Sequence, residues 1–126
     1  MVHRRRDRGA AAVEFALVLP MLLIVVFGII DFGRMLNAKI VLTQAAREGS
    51  RAAAVGTQVD GETWANNAAA GLGINPPVVV SCTDRSIEAA SAVLTVDFEF
   101  ITPLSFLIGS DGAATLRSEA VTPCMH

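Results

Sequence analysis

The chain has 126 residues, room for one small domain at most. Its net charge of −2 gives no basis for binding nucleic acid, and with histidines only at positions 3 and 126 and two widely separated cysteines a zinc site is not expected. Apolar residues make up 52% of the chain and concentrate between Ala10 and Ile30.

The first nine residues carry +3, four arginines against Asp7, which leaves −5 on the rest. A basic head on an acidic body is the pattern of a membrane protein whose N-terminus stays in the cytoplasm. Residues 15–30 hold no charge, and adding 10–14 gives a twenty-one-residue span that includes Glu14. About 20 residues cross a hydrocarbon core. Pro20 lies inside the span and predicts a kink, which membrane helices tolerate. A cleaved secretory signal would be followed by a small-residue cleavage site. Here Asp31-Phe32-Gly33-Arg34 follows, and the helical period runs on.

From Asp31 to Val55 the pattern is amphipathic. Phe32, Met35, Leu42, Ala45, Gly49 and Ala53 trace one stripe, with Arg34, Lys39, Arg47, Glu48 and Arg51 mostly off it. Ala45, Gly49 and Ala53 stand four apart and are small, so another backbone can approach closely. Gly56 is the expected stop, which makes residues 10–55 one nearly continuous helix. A short second helix is expected with Asp60 as its N-cap, running to about Leu72 and presenting Trp64, Ala68 and Leu72 on one face. Three strands should follow, over 78–82, 92–101 and 113–122. The middle one alternates Leu94, Val96, Phe98 and Phe100 against Thr95, Asp97 and Glu99, as a half-buried antiparallel strand does.

The expected fold is therefore α+β: a long N-terminal transmembrane and amphipathic helix, a short second helix and a small antiparallel three-stranded sheet. Its divisions are a basic cytoplasmic leader (1–9), a transmembrane segment (10–30), an amphipathic extension (31–56) and a small extracytoplasmic domain (57–126). Once exported, Cys82 and Cys124 are candidates for a disulfide, with two independent thiols as the alternative. If the first strand turns Val78, Val80 and Cys82 to the apolar side, and the last runs on past Pro123 and turns Leu116, Ser118, Ala120 and Cys124 there, both thiols point to the apolar side.

No catalytic constellation or phosphate-cradling glycine loop is visible, and Asp97 and Glu99 read as a solvated strand face. Neither a cofactor nor a small-molecule substrate is expected. The residue that asks for an explanation is Glu14, because a carboxylate in an apolar segment is costly unless it pairs or reaches the interface. The alternative is a glutamate tolerated at headgroup depth. Cutting after Gly9 would give Ala10 a free amine and place Glu14 fifth in the mature chain, one helical turn away.

That arrangement resembles the processing site of type IV pilins and pseudopilins. In more detail, residues 9–55 resemble the TadE-like family of tight-adherence (Flp-type) pilus assembly proteins. The resemblance rests on the run from Gly9-Ala10 through Glu14-Phe15 to Pro20, on Gly28-Ile29-Ile30-Asp31-Phe32-Gly33-Arg34, and on Gln44 to Ala53. It implies a membrane-anchored minor pilin or pseudopilin, cut between Gly9 and Ala10 by a membrane-embedded prepilin peptidase. Glu14 and Phe15 would serve assembly, alongside other pilin subunits, an assembly platform and a secretion ATPase. The second reading is a permanently anchored, uncleaved envelope protein whose outer domain binds a partner or a surface.

Overall fold

The computed structural model describes residues 4–103 and 112–125, with side chains described from Gly9 onward; His3 and His126 lie outside that set. Five elements follow in chain order: helices α1 (Arg4–Val55) and α2 (Gln58–Ala68), then strands β1 (Val78–Val80), β2 (Ala89–Glu99) and β3 (Ala113–Pro123). They form the expected α+β arrangement, with one antiparallel sheet in the order β1-β2-β3.

α1 is 52 residues long and runs through Pro20 without ending. Its two halves live in different surroundings. Residues 9–26 touch so little of the protein that all are exposed, whereas from Asp31 onward the helix forms the floor on which the sheet lies. The buried face of this second half is Asp31, Ala38, Leu42, Ala45, Ala46, Gly49, Ser50 and Ala53, positions that return to one side of a helix. The expected stripe is right from Leu42 upward and wrong at its start. Phe32 is 61% exposed because it sits one residue, about 100° of helical turn, from the face that Asp31 presents to the sheet.

Gly56 ends α1 with an N–H bond to the Ala52 carbonyl, and Thr57 starts α2. Thr57 is the N-cap: its hydroxyl accepts from the Asp60 amide, and the Asp60 carboxylate accepts from the Thr57 amide. Asp60 is thus the returning half of a capping box rather than the cap itself. The Thr57 amide and the Thr57 hydroxyl, each donating to that carboxylate at 2.8 Å, hold it below the usual carboxylate range.

α2 also shows a different face from the expected one. Gly61, Ala65 and Ala69 are buried, while Trp64 and Ala68 are exposed. The cause is the crossing with α1, which is too close for a large side chain. A methyl on Gly49 would stand 2.9 Å from Ala65 Cβ, and one on Gly61 would stand 2.8 Å from Ala53 Cβ. The small stripe of α1 therefore receives the protein's own second helix. α2 stops at Ala68, and Gly71 and Gly73 carry positive φ in the turn that leads away from it.

β2 is the central strand, and Ala90, Ala92, Leu94, Val96 and Phe98 point into the core as alternation requires. Opposite Ala92 lies Val79, so Val79 is the inward residue of β1 and Val78 and Val80 face out. That reverses the expected face: three valines in a row carry no period, and register with β2 decides their sides. Cys82 lies beyond the short strand, its N–H bonded to the Ala53 carbonyl near the end of α1. It forms a disulfide with Cys124, with the Cα atoms 5.7 Å apart.

Candidate functional site

Two regions of α1 stand out: its bare N-terminal half and its junction with the sheet. In the first, Gly9, Ala10, Glu14 and Phe15 lie on a continuous helical backbone and are exposed, Phe15 by 64%. Nothing comes within 4 Å of where a side chain on Gly9 would begin. Position 14 falls one turn beyond position 10, so an α-amino group at Ala10 and the Glu14 carboxylate would be neighbours along the axis. From Val13 to Ile30 the large apolar side chains are displayed on all sides of the helix: Phe15, Leu17, Met21 and Ile29 are each more than 60% exposed. A helix that is apolar all round and covered by nothing of its own needs an apolar environment or other helices.

In the second region, Asp31 and Arg34 belong to the run 28–34 that carries the family resemblance, but the sequence assigned them no structural role. Asp31, the first charge after the apolar run, is 2% exposed. Its carboxylate closes the far end of the β2–β3 hairpin onto the helix. The Ile101 and Thr102 amides each donate to it at 3.3 Å, and the Thr102 hydroxyl donates as well. Arg34, one turn on, stands 3.6 Å from it. These donors hold the Asp31 carboxyl below the usual range, the Thr102 hydroxyl most strongly, against the opposing effect of burial; the two amides and the Arg34 charge add to it. Arg34 is itself held, with its guanidinium 5.1 Å from the Phe98 ring centre and a bond to the Glu99 carbonyl at 3.5 Å.

Further along, polar contacts fasten β3 to α1. Lys39 Nζ donates to the Arg117 carbonyl, Ser118 bonds Thr43 at 3.1 Å, and Ser50 meets Thr122 at 3.0 Å. The order of these contacts, from Asp31 beside Ile101 to Ser50 beside Thr122, shows that α1 and β3 run the same way. The disulfide closes the end of the sheet opposite to Asp31.

Of the residues named from sequence, the structure brings Gly49 and Ala53 to α2, buries Ala45 with them in the core, and pairs Cys82 with Cys124. It leaves Gly9, Ala10, Glu14 and Phe15 on the open helix. Asp97 accepts from Thr115 at 2.9 Å and from Asn75 at 3.3 Å on the outer face of the sheet, as a solvated strand carboxylate does. Among the described residues no group of three or more histidines, cysteines and carboxylates is placed to hold a metal ion.

Residues 9–51 match the family model described as TadE-like protein, a family of pilus-assembly proteins. The matched stretch is about a third of the chain and covers the bare half of α1, Asp31 and Arg34, and the start of the floor under the sheet. No curated protein and no solved structure matches the chain.

Proposed function

Taking a TadE-like N-terminal segment as the premise, we propose that this chain is a membrane-anchored pseudopilin or minor pilin that acts in assembling a tight-adherence pilus and catalyses no reaction. The observation that carries the reading is the uncovered apolar half of α1, opening on Gly9-Ala10 with Glu14 one turn inside. Residues 10–30 span the cell membrane once, with the arginine-rich leader in the cytoplasm and the sheet and α2 outside it. A membrane-embedded prepilin peptidase removes residues 1–9. The exposed half of α1 then leaves lipid for the company of other pilin or pseudopilin helices, at the assembly platform.

Within that reading Glu14 has a defined task. Its charge disfavours staying in lipid, and the Ala10 amine released by cleavage, on the same or a neighbouring chain, neutralises it. Intact-mass analysis of the protein from membranes of its native host tests the proposal. A mature chain beginning at Ala10 is the expected result. A chain still carrying residues 1–9 would sink the pseudopilin and leave a permanently anchored envelope protein whose outer domain binds a partner.

A further inference from the structure

The junction at Asp31 fixes more than the fold of the hairpin. The span 10–30 rises about 31 Å as a helix, close to the thickness of a hydrocarbon core of about 30 Å. Asp31 therefore stands where α1 passes from acyl chains to headgroups, a step that rests on the membrane-spanning reading above. Because the Asp31 carboxylate takes the amides of Ile101 and Thr102, that end of the sheet is held at the same depth.

Among the described residues, three apolar side chains are exposed at this depth, next to the exposed Glu99 at the end of β2. Ile101 is 71% exposed on the sheet end, and Phe32 is 61% exposed beside Asp31 on the helix. Pro103 is exposed as well. Arg34 lies one turn above, immobilised by Asp31, Phe98 and the Glu99 carbonyl yet with its side chain still 42% accessible. A cation presented just above exposed apolar side chains matches the order of a bilayer surface, phosphate above acyl chain. The opposite end of the sheet has the other character: Thr83, Asp84, Arg85 and Ser86 form an exposed polar turn there.

We propose that the Asp31 end of the sheet is a second membrane contact. On the side where α1 leaves the bilayer, Ile101 and Phe32 enter the upper acyl region and Arg34 meets lipid phosphate. The sheet thus rests on the lipid surface instead of standing clear of it. Apolar area at Ile101 and Phe32 leaves water, and the contact is continuous with the one that α1 already makes.

The test uses the full chain, its disulfide intact, in phosphatidylcholine–phosphatidylglycerol vesicles. Single variants Ile101→Cys, Arg85→Cys and Val25→Cys carry a thiol-reactive fluorophore. Nitroxide lipids labelled near the top of the acyl chain, or at its middle, act as quenchers. All three positions are exposed, so the variants leave the core untouched. The expected result is quenching at Ile101 by the shallow nitroxide about threefold or more above that at Arg85, with Val25 quenched by the deep one. If Val25 is quenched while Ile101 behaves like Arg85, the second contact is wrong and the anchor stands. If Val25 is not quenched, the membrane-spanning reading fails, and this inference with it.

Discussion

Gly61 lies against Gly49 where α2 crosses α1, so closely that a methyl on Gly61 would stand 2.9 Å from the Gly49 carbonyl oxygen and 2.7 Å from Val79 Cγ1. One of those neighbours is backbone and cannot rotate away, so the crossing distance itself would have to grow.

Gly61→Ala should therefore destabilise the packing of α2 and the sheet on α1 by about 1–3 kcal/mol, the cost of overpacking outweighing the better helix propensity of alanine. Gly33 is the control, since nothing lies within 4 Å of its missing side chain. Gly33→Ala should be neutral or stabilising by about 0.5–1 kcal/mol. Thermal unfolding of the detergent-solubilised protein, followed by circular dichroism, distinguishes the two. Equal effects would mean that the glycine crossing is not tight.

Replacing Asp31 with asparagine removes the charge that gathers three donors and puts an N–H₂ group among them. The midpoint of unfolding at pH 7 should fall. Because the Asp31 carboxyl is held below its unfolded value, its contribution is complete above the ordinary carboxylate pKa of about 3.9 and disappears as pH falls through the lowered one. Wild type and Asp31→Asn should accordingly converge under acid conditions. A gap that persists unchanged in acid would assign the effect to shape and not to charge.

Removing the cross-link between Cys82 and Cys124, which are 42 residues apart, frees the unfolded chain. For a loop of that length the chain-entropy treatment gives about 3–4 kcal/mol. The double variant Cys82→Ser, Cys124→Ser should lose stability on that scale in denaturant unfolding. Non-reducing peptide mapping of the exported protein should return the two cysteines in one linked pair. Two alkylatable thiols would speak against the bond.

Glu14→Gln and Glu14→Leu separate anchoring from assembly. Both should stay in the membrane fraction, since an uncharged side chain there suits lipid better than a carboxylate does. Pilus formation, or recovery of this chain with pilus components, should drop sharply in both. Assembly of Glu14→Leu at the wild-type level would make the glutamate a tolerated interfacial residue.

Much of this architecture was legible because its signals are local. The apolar run after Ala10, the stop at Gly56 and the strict alternation of Leu94, Val96 and Phe98 each follow from neighbours in the chain. The misreadings arose where partners are distant. Val79 takes the inward position of β1 only because Ala92 lies opposite it. Trp64 is turned outward because α1 approaches through Gly49, and a glycine such as Gly61 within a short helix reads locally as a weakness, not as a contact point. Asp31 was harder still. A charge directly after an apolar run reads as the end of a membrane segment, and the hairpin end that it holds lies about seventy residues further on. The arginine three residues later was the one local hint of a structured carboxylate.

The continuity of α1 has a mechanical consequence. One continuous helix carries both the bare apolar half and the sheet, which is bolted to it at Asp31, Lys39, Thr43 and Ser50. From Asp31 to Val55 the rod extends about 36 Å, so a tilt of about 10° at its bare half sweeps its far end sideways by about 6 Å. Any neighbour that leans on the bare half therefore steers the disulfide end of the sheet, as a tiller steers a rudder.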